Sequence, residues 1–344
     1  MKRSVLWAVQ WLGRLAVVMT LGGAVLVAVG YQLGPERAWF LALAQYVPYP
    51  AYLLPALVVV GLSFTLSWGW RVAALLGLSL VVTVIMGLEL HTGDAGDGRV
   101  RMMTYNVKAY RAALLLDGMQ RIGWEVALHD PDILVMQDAG ELAAVRETNP
   151  AAIRMFSGRQ VYASGQYIVA SRFPMQECGI GLLPAKEHHL SYVHCIVNVK
   201  GAKLDLFTVH FLTPREGLNA ARHEKLQGVG EWEQNVAMRM TQAQGLARAV
   251  QASKHPVIIG GDLNAPEHSL VVRALLNTGV RDAFSAAGVG YGYTHGHSLR
   301  PGISFLRIDH ILVDPLLGVA DCFAGGKEGS EHRPVIADLL LNRE

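Results

Sequence analysis

The chain has 344 residues, 51% of them hydrophobic and 17% charged, with a mean hydropathy of +0.28. That is too apolar for an ordinary soluble protein and too charged for a fully embedded one, so two regimes share the chain. Residues 1–98 hold only Lys2, Arg3, Arg14, Arg37 and Arg71 as cations and Glu36, Glu89, Asp94 and Asp97 as anions, leaving 25 of the 30 basic and 24 of the 28 acidic residues for the remainder. Nearly neutral, the remainder lacks the broad basic footprint of a protein that grips long duplex nucleic acid.

In chain order, Leu15–Leu33, Tyr46–Trp68 and Val72–Leu88 run apolar without a charge, each near the roughly 17–25 residues of a spanning helix. Three transmembrane helices within residues 1–92 are the expectation, with Pro48, Pro50 and Pro55 blurring the start of the second. A cleaved signal peptide is the rival reading of the first, but its run exceeds the usual ~7–15 residue core and two more apolar runs follow. Lys2, Arg3 and Arg14 before the first span and Arg71 between the second and third put the amino terminus inside. Three crossings then predict a multi-pass inner or plasma membrane protein whose remainder, beyond His91, lies outside the cytoplasm. His91–Arg99, HTGDAGDGR, reads as a polar tether, with residues 93–99 as linker and 100–344 as the outer domain.

Beyond it the periodicity predicts strands at Val100–Val107, Ile133–Gln137, Tyr167–Ser171, Glu177–Leu183, Ser191–Lys200, Lys203–His210, Pro256–Gly260, Ser304–Val313 and Pro334–Leu341, and helices at Asp117–His129, Glu231–Ser253 and His268–Asn277. Several strands follow one another without a helix between, which excludes a purely parallel sheet with regular crossovers. Two packed mixed sheets flanked by helices, an α/β (α+β) architecture, fit better.

Polar residues recur where these strands end: Asn106, Asp138, His210, the pair Asp262 and Asn264, then Asp309 within a strand and Glu331-His332 just before the last one. Alone, an Asp or Asn after a strand is most often a turn or cap residue, and a single histidine such as His210 a satisfied structural one. Together they would line one sheet edge with carboxylates and imidazoles.

The segments TYNV, DILVMQD, SRFP, TVH, GDLN, RIDHILV and SEHRPV, spanning nearly all of residues 100–341, resemble the ordered motif series of the endonuclease/exonuclease/phosphatase family, to which deoxyribonuclease I belongs. GDLN and SEHRPV are its most specific pieces. The resemblance implies a four-layered sandwich, a site at one edge of the paired sheets, a catalytic Mg²⁺ or Mn²⁺, and hydrolysis of phosphoester bonds. It further implies Asn106 and Asp138 at the metal, with Glu331 near it, Asp262 and Asn264 orienting water and phosphate, His332 as catalytic histidine paired with Asp309, and His210 as a second histidine. A hard cation taking oxygen ligands, and an Asp-paired histidine exchanging protons near neutrality, suit that chemistry.

Two positions depart from the family pattern, which usually has Glu at 138 and Asp at 331. The expectation is that the shorter and longer side chains compensate, so that restoring both together retains more activity than either single swap; additive losses would count against it.

Elsewhere, Cys178 and Cys195 sit equally far from the centre of the Pro184–His189 turn and either form a disulfide or stay unrelated thiols. His188-His189 and His295/His297 read as solvated loop histidines, while Thr294, ahead of His295, is expected to border the cleft and touch substrate. Arg215, Arg222, Lys225, Arg239 and Arg248, interspersed with glutamates, read as a solvated helical face. Trp232, Met238 and Met240 read as core packing rather than a bilayer-facing rim.

The functional expectation is a membrane-anchored phosphodiesterase or phosphatase acting on a lipid or small phosphoester. A membrane-anchored endonuclease and a non-catalytic membrane protein that binds a phosphorylated ligand are the alternatives.

Overall fold

The computed structural model describes residues 2–184, 190–224, 227–299 and 302–343; His188, His189 and Lys225 lie outside them. The chain divides into two units, Met1–Glu89 and Leu90–Glu344.

In the first unit, two stretches are long and apolar enough to cross a membrane, Trp7–Leu33 with 27 residues and Trp68–Ile85 with 18. The second expected span, Tyr46–Trp68, is shorter: its helix covers only Pro50–Ser63, 14 residues. Proline at its first turn and the turn after Ser63 limit it, and at ~1.5 Å per residue it falls short of a hydrocarbon core of about 30 Å. Leu12, Leu15, Met19 and Leu26 are exposed along the first helix, and only 22% and 17% of the two long stretches is buried, unlike the core helix of a soluble protein.

The second unit is built on two six-stranded sheets. The strands of these two sheets are β1 (Gly96–Asn106), β2 (Ile133–Gln137), β3 (Gln160–Ser164), β4 (Tyr167–Ser171), β5 (Met175–Leu183), β6 (Leu190–Val199), β7 (Ala202–His210), β8 (Val257–Asp262), β9 (Arg281–Asp282), β10 (Asp309–Val313), β11 (Gly318–Ala324) and β12 (Val335–Arg343). One sheet has the order β11-β12-β1-β2-β4-β3 and the other β9-β10-β8-β7-β6-β5. Each has one parallel pair at its centre, β1 with β2 and β7 with β8, within antiparallel neighbours. A parallel pair needs a crossover, and helices Gly118–His129 and Gly228–Gln251 supply them.

The alternation of side chains explains the layers. Met102, Val135, Leu206, Ile258 and Ile311 point between the sheets. Their neighbours Met103, Leu134 and Met136 face the helices Gly118–His129 and Pro150–Phe156 on one side, and Phe207, Ile259 and Leu312 face Gly228–Gln251 and Leu270–Leu276 on the other. Helix, sheet, sheet and helix stack as expected, because strands apolar on both faces must be covered twice. Gly260 has no side chain for a physical reason: a Cβ there would lie 2.6 Å from Met102 Cε across the gap.

Two starts differ from the sequence expectation by about four residues or more, and the strands Gln160–Ser164 and Gly318–Ala324 lie outside it. β1 begins at Gly96, inside the supposed linker, where Asp97 and Arg99 lie in register with Asn342 and Leu340 and Asp94 is ion-paired with Arg281; backbone pairing to β12 orders a stretch whose composition reads as a tether. The strand expected from Ser304 starts at Asp309, since Leu306 bridges to His295 instead. Cys178 and Cys195 form a disulfide across β5 and β6.

Candidate functional site

Because the central pairs are parallel, β1, β2, β7 and β8 bring their carboxyl ends to one edge, delivering Asn106, Asp138, His210 and Asp262 there. β10 runs antiparallel to β8 with Asp309 opposite Asp262, so its first residue reaches the same edge. β12 is antiparallel to β1, with Val335 opposite Thr104, and His332 therefore overhangs the end of β1. Beneath them Gln137 Nε2 donates to Thr104 Oγ1 at 3.1 Å and to Thr208 Oγ1 of the other sheet at 2.9 Å.

Asp262 is the meeting point. Its Oδ2 accepts from Asn106 Nδ2 at 2.9 Å and lies 3.4 Å from His210 Nε2 and 3.8 Å from His332 Nδ1. Its Oδ1 accepts the backbone N–H of Asn264 at 2.9 Å. Asn264 turns the chain at φ 49° and donates its amide to the Phe211 carbonyl at 2.9 Å. Two buried clamps hold this turn: Arg239 Nη1 donates to the Asn264 carbonyl and His310 Nε2 to that of Ala265, each at 3.0 Å. Arg239 is thus part of the site's support rather than of a solvated face, while Trp232 is buried and Met240 packs on the core as expected. His310 is fixed in turn by Asp282, which also bonds Arg307. Burial alone would raise the Asp282 carboxyl, but Arg307 and His310 hold it well below the usual range.

His332 Nδ1 lies 2.9 Å from Asp309 Oδ2. Burial pushes the Asp309 carboxyl up to about 6, against the Thr294 hydroxyl and nearby cations, and pushes His332 down to about 4, against the pull of Asp262. Thr294, expected to touch substrate, is instead fully buried. Its Oγ1 accepts the backbone N–H groups of Ile308 and Asp309 at 3.2 and 3.3 Å, so it positions the start of β10. His295 also departs from expectation: it is half-buried, its ring 4.5 Å from that of His332, and its Nδ1 donates to the Glu331 carbonyl at 3.2 Å. Burial first, then the charge of His332, brings its pKa down to about 3. An isolated bridge between His295 and His332 lays this loop against the site, a long-range pairing with no local sequence signal.

At the other end of the cleft, Asp138 Oδ1 is 3.5 Å from His210 Nδ1, which also lies 2.7 Å from Gln166 Oε1. Asp138 Oδ2 accepts from Lys108 Nζ at 2.8 Å, and Glu331 is paired with Arg111. Burial would raise Asp138, yet His210 and Lys108 outweigh it and keep its carboxyl below the usual range. The ligand atoms that converge most closely belong to Asp262, Asp309 and His332, all within 4.8 Å of one another, rather than to Asn106, Asp138 and Glu331. Asn106 and Asp138 join that cluster through Asp262 and His210, and Glu331 flanks it beside His332. This set of carboxylate and amide oxygens beside imidazoles suits a hard divalent cation, and Lys108 and Arg111 supply positive charge at two of the same acids.

The sequence profile of the Endonuclease/Exonuclease/phosphatase family matches residues 103–332. The chain belongs to this family. Solved structures share the fold over about 70% of the chain. Truncated TDP2 of Caenorhabditis elegans is 19% identical, with 70% of this chain and 97% of that one covered and a TM-score of 0.52. D. rerio TDP2 complexed with single-strand DNA product is 16% identical, with 71% and 99% covered and a TM-score of 0.53. The Bacteroides vulgatus endonuclease/exonuclease/phosphatase is 16% identical, with 71% and 99% covered and a TM-score of 0.54. At such identities the likeness establishes the fold. No curated protein matches the chain.

Proposed function

We propose that the chain is a Mg²⁺- or Mn²⁺-dependent phosphodiesterase or phosphatase, held at a membrane by its apolar helices and acting on a small or lipid phosphoester. The observation that carries this reading is the junction at Asp262, where side chains from four other chain segments meet: Asn106, His210, His332 and, through His332, Asp309. A merely structural sheet edge has no use for so many buried acids and imidazoles.

Asn106, Asp138 and Glu331 would hold the cation, with Asp262 close by, and the cation when bound neutralises phosphoryl charge. Asp309 fixes the His332 tautomer by accepting from Nδ1, which leaves Nε2 as the ring position that takes or gives a proton. Burial keeps that imidazole neutral near pH 7, the form able to accept a proton from water. Asp262 and Asn264 orient the nucleophile and the phosphate, and His210, between Asp138 and Asp262, adds a second imidazole.

The disulfide of Cys178 with Cys195 supports a domain outside the cytoplasm, where such bonds persist; with the two long stretches as the only crossings, that requires the amino terminus outside as well, against the three-crossing expectation. The test is full-length protein in nanodiscs, offered a panel of phosphoesters with Mg²⁺, Mn²⁺ or EDTA. Metal-dependent turnover that falls by about 10²–10⁴ in His332→Ala and Asp262→Ala is expected; turnover indifferent to both substitutions overturns the reading. A membrane-anchored endonuclease is favoured by His210 alone, and it requires the same preparation to nick plasmid DNA.

A further inference from the structure

Beside the cleft the chain makes an uncommon display. The short helix Ala109–Ala112 follows Lys108 and carries Arg111, the residues paired with Asp138 and Glu331. The turn after it exposes three consecutive leucines, Leu114 by 83%, Leu115 by 58% and Leu116 by 104%. A run of exposed apolar residues in a water-soluble surface is a fault unless it serves a contact. The display is also ordered. Leu114 N–H bonds to the Arg111 carbonyl at 3.1 Å and Leu115 N–H to that of Ala112 at 3.0 Å. Gly118 closes the turn where any Cβ would lie 2.2 Å from the Ala112 oxygen.

Charge around the leucines narrows the occupant. Lys108, Arg111 and Arg121 flank them, each paired with an acid, Asp138, Glu331 and Asp117 in turn, and half-exposed Tyr110 lies 6.0 Å from both Lys108 Nζ and the Arg111 guanidinium carbon. An apolar tip collared by ion pairs and an amphipathic aromatic ring complements a bilayer surface, with acyl chains below and head groups carrying both charges around. The same polypeptide carries apolar helices with exposed apolar faces, so such a surface is at high effective concentration.

We propose that Leu114–Leu116 form a lipid-docking tip at the rim of the cleft, and that the substrate is a phosphoester head group presented by a bilayer. The substrate half rests on the hydrolase reading above; the docking half stands without it.

The experiment places an environment-sensitive fluorophore on Leu115→Cys, and separately on Glu147→Cys in a polar turn, in full-length protein reconstituted into phosphatidylcholine–phosphatidylglycerol vesicles. Cys322 is buried and the other two cysteines are bonded to each other, so the introduced thiol takes the label. Quenching by nitroxide lipid at position 115 but not at 147 is expected. A water-exposed probe at 115 overturns the proposal, and so does a shielded probe that lipid nitroxide fails to quench, which would assign the leucines to a protein partner or a second copy. In a second arm, replacing all three leucines by serine is expected to lower the ratio of vesicle-lipid to soluble-phosphodiester turnover by at least about tenfold; an unchanged ratio sinks the substrate half. If the unmodified protein hydrolyses neither substrate the hydrolase reading fails, while the quenching result still decides docking.

Discussion

The two ends of the cleft keep their acids in different ways. Asp262 and Asp309 are each 1% exposed and are held by hydrogen bonds from amide, hydroxyl-anchored backbone and imidazole groups. Asp138 and Glu331 have side chains 19% exposed and are held by cations, Lys108 and Arg111. A buried acid cannot change partners without leaving a polar group stranded, whereas a partly exposed ion pair rearranges cheaply. The first end is therefore preorganised for chemistry, and the second is built to exchange its counter-charge. Positive φ occurs at both ends, at Asn264 beside Asp262 and at Lys108 and Asp138, whose φ of 44° and 50° cost roughly 1–2 kcal/mol each. Two bonds between the segments of Lys108 and Asp138 sustain this strain, Val107 N–H to the Gln137 carbonyl at 3.0 Å and Ala109 N–H to that of Asp138 at 2.8 Å.

The sharpest way to break this contrast is Asp309→Asn. The amide keeps the shape but no longer fixes the proton on His332 Nδ1, so kcat on a soluble phosphodiester should fall by about 10²–10⁴ with little change in KM. A kcat within a factor of a few of the unmodified protein would mean that this end is not where the chemistry is organised.

Lys108→Met probes the other end. Removing an ammonium 2.8 Å from Asp138 leaves that carboxylate without its resident cation, and Mn²⁺ or Mg²⁺ should bind about tenfold more tightly. Calorimetric titration, or the free Mn²⁺ electron paramagnetic resonance signal, reads this without any turnover. Equal or weaker binding would show that Lys108 supports the metal set rather than standing in for its charge.

How much of this could be read from the chain alone follows the same division. Strand-end residues announced by an apolar run, such as Asp262 after Val257–Gly261 or Asn106 after Val100–Tyr105, were legible, because a two-residue period and a polar terminus are local signals. The two-sheet architecture was legible for the same reason. Lys108 and Arg111 were not, since their significance depends on acids 30 and 220 residues away. Arg239 and Asp282 failed similarly: a basic residue on a long helix and an acid before a short one carry no local mark of the turn and histidine they secure. His295 looked like a solvated loop residue because only its bridge to His332 distinguishes it. In the amino-terminal unit, apolar composition was read more easily than helix length, which Pro50 and the turn after Ser63 shorten.

Thr294→Val carries the smallest expected effect and tests the preorganised end most finely. The hydroxyl accepts two backbone N–H groups, at Ile308 and Asp309, and valine fills nearly the same volume without accepting either. Stranding these donors should cost about 1–3 kcal/mol, a fall in Tm of several degrees at most. Asp309 keeps its bond to His332, so the loss of kcat should stay below about tenfold, well short of Asp309→Asn. If Tm drops and kcat holds, Thr294 secures the strand's entry and the register with β8 positions the carboxylate. If kcat falls as far as in Asp309→Asn, the hydroxyl itself sets the aim of the Asp309 carboxylate, and the buried end is less rigidly fixed by its sheet than its pairing implies.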